Sequence, residues 1–138
     1  MASILNVDQI GHSTSGTTAI TIASDGKVTM PENDSGWIEP TLNSPYTHFG
    51  SPYGNAKYRK IGDIVNIQGL ININSASNGD VIFTLPSGYR PKLHIIMAAN
   101  NGGLSIARID ITQDGDVVKH SAVADSSWVS LFMTFIVS

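Results

Sequence analysis

The sequence contains no cysteine. Disulfide scaffolds, cysteine nucleophiles and thiolate-bound zinc are thereby excluded. Glutamate occurs only twice, at Glu32 and Glu39, so a helical bundle is not expected. Leucine plus alanine total 17, against 26 for isoleucine plus valine. β-Branched side chains are stiff at χ1 and pack well on a pleated surface, so this balance favours strands. Charge is also scarce: 14% of the 138 residues are charged, against about 25% in an average soluble domain. Eight lysines and arginines in a chain of net charge −3 offer no surface for tracking phosphates, so nucleic acid is not an expected partner. No apolar run approaches the roughly 20 residues that span a bilayer, so no membrane insertion is expected. Met1 to Ile10 has neither a basic flank nor a long apolar core and does not read as a secretion signal. Synthesis in a cytoplasm follows as the expectation.

What is present is a series of short apolar runs between turn residues. Ile20 and Ile22 alternate with threonines, and Val28 and Met30 alternate with Lys27 and Thr29. Asp25-Gly26 lies between them, a hairpin or bend signal because glycine accepts positive φ. Upstream, Ile4, Val7 and Ile10 are three apart, which fits a helical turn or two, or an extended segment lying on a neighbour. A lone hairpin is marginal in water. Ile4, Val7, Ile20 and Ile22 are therefore expected to contact the rest of the chain, other copies of it, or a larger body. Pro31 to Gly36 is punctuation, and a boundary near residue 35 divides an N-terminal segment, 1–35, from a main domain, 36–138.

In the main domain, strands are expected at Gly36 to Leu42, Lys57 to Ile61, Ile64 to Ile73, Asp80 to Leu85, Leu93 to Ala99, Leu104 to Thr112, Asp116 to His120 and Trp128 to Val137. Period-two patterning is clearest in Ile64 to Ile73: Val65, Ile67, Ile71 and Ile73 share one face with Gly69, and Asn66, Gln68, Asn72 and Asn74 the other. Short strands at this spacing predict an all-β fold, an antiparallel β-sandwich or jelly-roll-like head or a small barrel. In the last strand, Val129, Leu131, Met133, Phe135 and Val137 make one wholly apolar face. Trp128, Phe132 and Ile136 make the other face largely apolar too. Either a loop or neighbouring strand covers that second face, or it is a subunit interface.

Signals for chemistry are few. His12, His48, His94 and His120 are dispersed, without the HxH or HExxH spacing of a metal site, and no metal or cofactor is expected. There is no GxSxG nucleophile elbow. Gly11 to Thr18 has the two glycines of a phosphate loop but Thr17 where the lysine belongs, and reads as a linker. Asp114-Gly115-Asp116 reads as a tight hairpin turn before it reads as half a calcium site. No catalytic residue is assigned.

One segment favours binding. Residues 44–55, SPYTHFGSPYGN, contain a small repeat, Ser44-Pro45-Tyr46 and Ser51-Pro52-Tyr53. Tyr46, His48, Phe49 and Tyr53 place four rings on a backbone shaped by glycine and proline. Such rings offer a flat apolar face, and tyrosine adds a polar tip, which suits sugars and wet interfaces. They are the candidate stacking platforms, with Asn55 and Arg90 as candidate donors to hydroxyls or phosphates. The alternative is that the rings plug one end of the domain or pack against Trp37.

The run Tyr58 to Val65 (YRKIGDIV), the apolar strand through Ile73, and Phe83 to Pro91 (FTLPSGYRP) together resemble the C-terminal head domains of bacteriophage tail-fibre and baseplate receptor-binding proteins. The Asp114 to Val118 hairpin and the closing Trp128 to Leu131 strand fit the same pattern. MASILNVDQI, with Gly16 to Ile22 and Asp25 to Val28, is similar to the opening segments of phage fibre and tail proteins. The resemblance implies a homotrimeric virion protein without enzymatic activity. Its N-terminal part would attach to other virion proteins and its β head would bind a host-surface saccharide. Two other readings stay open: a capsid or tail decoration protein with a purely structural role, and a small polysaccharide-degrading enzyme. The short N-terminal part, without heptads or a repeat array, favours a compact tip, a baseplate component or a decoration over a long free fibre.

Overall fold

A computed structural model describes residues 9–11, 18–29, 34–102, 105–122 and 128–137. The chain divides into two compact units, residues 1–35 and 36–138. In the first, β1 (Gln9–Gly11), β2 (Thr18–Ile22) and β3 (Val28–Thr29) form a three-stranded antiparallel sheet in that order. The Asp25-Gly26 turn joins β2 and β3 as its sequence implies: Gly26 has φ +81°, and the Lys27 N–H donates to Asp25 Oδ1 at 3.0 Å. Ile10, left between helix and extended chain by its spacing, lies on β1 opposite Ile20. Ile20 and Ile22 are half-buried, while Ile4 and Val7 lie outside the described residues.

The second unit is all-β, and no helix occurs among its described residues. Its strands are β4 (Thr47–His48), β5 (Lys57–Ile61), β6 (Ile64–Asn72), β7 (Val81–Thr84), β8 (Ile95–Asn101), β9 (Ser105–Ile111), β10 (Asp116–Ala122) and β11 (Trp128–Ile136). All pair antiparallel, in the order β4-β6-β11-β8-β9-β10-β7, with β5 beside β4 on the same edge of β6. The sheet curls. Asn43, just before β4, donates its N–H to Ile82 O at 2.8 Å and its side-chain amide to Val81 O at 3.0 Å. The first and last strands of the path are thus tied together. The expectation from sequence was an all-β sandwich, jelly roll or small barrel; what is found is a curled antiparallel path of eight strands, in which β11 and β8 share the single pair Val129–Asn101.

The concave side holds the core, in which Val65, Ile71, Ile82, Phe83, Leu85, Ile109, Ile111, Val117, Val129 and Leu131 are fully buried. Each buried aliphatic of this size contributes about 1.5–3 kcal/mol. The strand expected over Gly36 to Leu42 reduces to one bridge, Ile38 to Tyr58. Pro40 lacks the N–H that continued pairing would need.

Strand β11 follows its period-two pattern inward, where Val129, Leu131, Met133 and Phe135 are buried. On its outer face Phe132 is 75% exposed and Ile136 62% exposed. No loop or strand among the described residues covers them. Outer-face residues form rows across β5, β6 and β11, because directly paired residues of antiparallel strands share a face. One row is Ile61–Ile64–Ile136, the next Arg59–Asn66–Thr134, and the third Lys57–Gln68–Phe132.

Candidate functional site

The aromatic segment runs from the rim of the core to the outer face of the sheet. Its first part is pinned by β4, where Thr47 pairs with Asn72 and His48 with Ile71. Asn72 and Asn74 both donate side-chain amide protons to Thr47 Oγ1, at 3.1 and 3.0 Å. Tyr46 is 3% exposed and belongs to the core, its hydroxyl donating to Asp80 O at 3.3 Å. Burial, followed by the nearby Asp80, pushes that hydroxyl well above the usual tyrosine range. Tyr46 therefore fills the domain interior, the alternative that the sequence left open for these rings.

His48 is half-buried and serves as a brace. Its Nδ1 accepts the Ala56 N–H at 3.1 Å, so the neutral ring carries its proton on Nε2, which faces Glu39 Oε1 at 3.4 Å. The other Glu39 oxygen accepts from Asn55 Nδ2 at 2.9 Å. Glu39, His48 and Asn55 thus lock the end of the loop onto the chain that enters the domain. Beside them Thr41, Leu42 and Thr47 line an open cleft of about 440 Å³.

Beyond Phe49 the chain turns outward. Gly50 and Gly54 bridge each other, and the Gly54 N–H donates to Gly50 O at 2.7 Å. Tyr53 stands on this turn, 63% exposed, with its ring 5.5 Å from that of Phe49 in an edge contact. The chain then rejoins the edge of β6 that β4 and β5 share, passing close beside Gly69. A Cβ at that glycine would lie 2.3 Å from Asn55 O and 2.7 Å from Ala56 Cα, so only glycine lets the backbones approach this closely.

Next to this close approach lies a groove of about 280 Å³ on the outer face. Tyr53 and Phe132 supply its rings, and Asn55, Lys57, Gln68 and Ser130 its polar groups. Outside this lining, Trp37 has Lys57 Nζ 5.1 Å and Arg59 Cζ 5.8 Å from its ring centroid. Of the expected ligand residues, the groove gathers Tyr53 and Asn55; Phe49 supports Tyr53 from behind, while Tyr46 and His48 face elsewhere. Arg90 belongs to another part of the sheet. Its Nε donates to Leu85 O at 3.0 Å, and its side chain lies over Gly115.

Sequence spacing did not point to Lys57, Gln68 or Ser130, and it placed Phe132 only at an interface. The polar face of β6 contained Gln68, but cross-strand register was needed to join it to Lys57 and Phe132. Register also assembles a second constellation. Asp110 on β9 is fully buried and accepts from Arg108 Nε (2.8 Å), Arg108 Nη2 (2.6 Å) and His94 Nε2 (2.7 Å), with His120 Nε2 at 3.4 Å. The Arg108 hydrogen bonds, more than the histidines, hold its carboxyl below the usual carboxylate range against the opposing effect of burial. With Arg108 forked onto the carboxylate, the cluster ties β9 to β10 and to His94, the residue just before β8.

No protein-family model matches the sequence, and no curated protein matches it. Among solved structures, the chain is similar to the crystal structure of the receptor-binding protein (gp15) of Listeria phage PSA. The TM-score is 0.60 at 14% identity, over 72% of this chain. The match spans 64% of that protein's chain. The curled antiparallel sheet is therefore a fold that a phage receptor-binding protein also adopts.

Proposed function

We propose that the protein is a phage tail receptor-binding protein, a virion component whose residues 36–138 form a host-facing head. The observation that supports this most directly is the likeness of its sheet to that of a phage receptor-binding protein. On this reading the head binds a host-surface saccharide without chemically altering it, through the groove between Tyr53 and Phe132. Exposed rings edged by amides and hydroxyls suit sugar faces and their hydroxyls. The protein acts as a homotrimer, and its N-terminal unit, with Ile20 and Ile22, joins copies or other virion proteins. The apolar row Ile61–Ile64–Ile136 is the head surface best suited to a subunit contact, with Trp128 at the opposite end of β11. Weak single sites repeated over a trimer and over many trimers would give firm attachment through effective concentration.

Labelled protein should adsorb to host cells and lose adsorption when periodate oxidises their surface glycans. Adsorption that survives oxidation removes the saccharide. Light scattering should give a trimer, and a persistent monomer at micromolar concentration removes that part of the reading. A virion map with the protein seated over capsid joints would transfer it to the decoration role.

A further inference from the structure

We propose that Asn78 is a self-modifying residue: its side-chain amide hydrolyses to a carboxylate, which then pairs with the buried ammonium of Lys119. The sequence has two Asn-Gly steps, Asn78-Gly79 and Asn101-Gly102. A glycine has no side chain to crowd its backbone nitrogen, so at these steps that nitrogen can reach the preceding side-chain amide. The structure treats the two steps oppositely. Asn101 is fully buried on β8, with the Gly102 N–H donating to Trp128 O at 3.1 Å. Asn78 and Gly79 are exposed in the loop between β6 and β7. A Cβ built on Gly79 would meet nothing within 4 Å, so there is room for a succinimide ring.

Lys119 gives the product a partner. This residue of β10 is 5% exposed, and its Nζ donates to Ala76 O at 3.1 Å and to Asn78 Oδ1 at 3.2 Å. Both acceptors are neutral, and among the described residues no carboxylate forms an ion pair with it. A buried cation held by neutral oxygens gains from a carboxylate in the same place. An ammonium can only donate, so the amide turns its oxygen toward Lys119, and the ammonium draws electron density from the carbon to be attacked. In the reaction the Gly79 nitrogen gives its proton to solvent base and bonds to Asn78 Cγ; the Cγ–Nδ2 bond breaks and ammonia leaves. Water then opens the succinimide, to aspartate where the Cγ–N bond breaks and to isoaspartate where the bond at the backbone carbonyl breaks. The Gly79 N–H is held by Lys119 O at 2.7 Å, so the reaction waits on opening of that bond and is slow. The aspartate form can make that bond again and brings its charge to Lys119. The Asp80 carboxylate of the same loop is already engaged by the Ser77 N–H at 2.6 Å.

Peptide mass mapping of the whole protein, aged in mildly alkaline buffer, tests the modification. The peptide holding Asn78 should gain the mass of an amide-to-acid exchange over days, and the peptide holding Asn101 should not. Asn78→Gln should show no such gain at its position. Asn78→Asp, which makes the product directly, should shift the unfolding equilibrium toward the folded state about tenfold. In the same variant an amine-acylating reagent should label Lys119 about tenfold more slowly, because an ion pair favours the unreactive ammonium. No gain at Asn78, or an equal gain at Asn101, would overturn the modification. An Asn78→Asp variant no more stable than the parent, or one in which Lys119 is labelled at the parent's rate, would overturn the pairing with Lys119.

Discussion

The tripeptide Ser-Pro-Tyr occurs twice in one loop, and its two tyrosines end in opposite places. Both Ser–Pro bonds are cis, so the local backbone does not separate them in that respect. What differs is the pairing that follows. Tyr46 precedes Thr47 and His48, which join β6; the Tyr46 N–H donates to Asn43 O at 2.9 Å, and strand alternation sends Thr47 outward and Tyr46 inward. Tyr53 precedes Gly54, which closes a turn on Gly50, with φ near +81° and +84° at the two glycines. Such a turn stands off the sheet and keeps its ring in solvent. The fate of an aromatic residue is set here by the register of its successors, and identical neighbours carry no information about it.

Replacing each tyrosine is the most direct way to break this comparison. Tyr46→Ala should cost about 3–5 kcal/mol, as for other large buried rings, read from chemical denaturation. Tyr46→Phe removes only a long hydrogen bond and should cost about 1 kcal/mol or less. A Tyr46→Ala cost under about 1 kcal/mol would mean that the ring is not part of the core. Next in size is Gly69→Ala, which attacks the seat of the second triplet. Its φ is +122°, and the new methyl would collide with backbone atoms of Asn55 and Ala56, which cannot step aside as a flexible side chain can. About 2–4 kcal/mol should be lost through strain and overpacking together, and groove binding should fall with it.

Acid separates the loop from the rest of the sheet. The Asp110 carboxyl has its folded pKa depressed, chiefly by Arg108, below an ordinary value of 3.8. Its stabilising contribution is therefore complete above that value and is lost as pH falls through the lower folded pKa. Stability measured from neutral pH downward should drop below about pH 4, and in Asp110→Asn that part of the drop should be missing. Unchanged acid sensitivity in the variant would show that other carboxyls govern it.

Much of this fold was legible where a single strand carries its own pattern. The alternation of Ile64 to Ile73, the inward set from Val129 to Phe135 and the Asp25-Gly26 and Asp114-Gly115 turns are local signals, and all appear at their places. The site was only half legible, because it is made by register. Tyr53 and Asn55 came from a dense cluster of rings in a glycine-rich loop. Lys57, Gln68 and Phe132 are far apart in sequence and become one row only when β5 and β11 take their places on either side of β6. His94 and His120 meet at Asp110 for the same reason. Composition pointed to two tyrosines in the loop and had no means of telling which faced inward.

The smallest effect on stability belongs to Tyr53→Ala, and it sharpens the comparison most. The ring is largely in water and has one aromatic neighbour, Phe49, in an edge contact worth about 0.5–1 kcal/mol. Denaturation midpoints should barely move, in contrast to Tyr46→Ala. Adsorption to host cells should nevertheless fall, because the variant removes a platform from the groove without disturbing Gly54, Asn55 or the close approach at Gly69. Tyr53→Phe keeps the platform and loses only the hydroxyl, so it should retain most of the binding. A Tyr53→Ala variant that is as destabilised as Tyr46→Ala would place both rings in the core and leave the groove without its first wall. One that is stable and binds cells normally would keep the structural contrast between the two triplets but remove Tyr53 from recognition, leaving Trp37 and Phe132 as the rings to test.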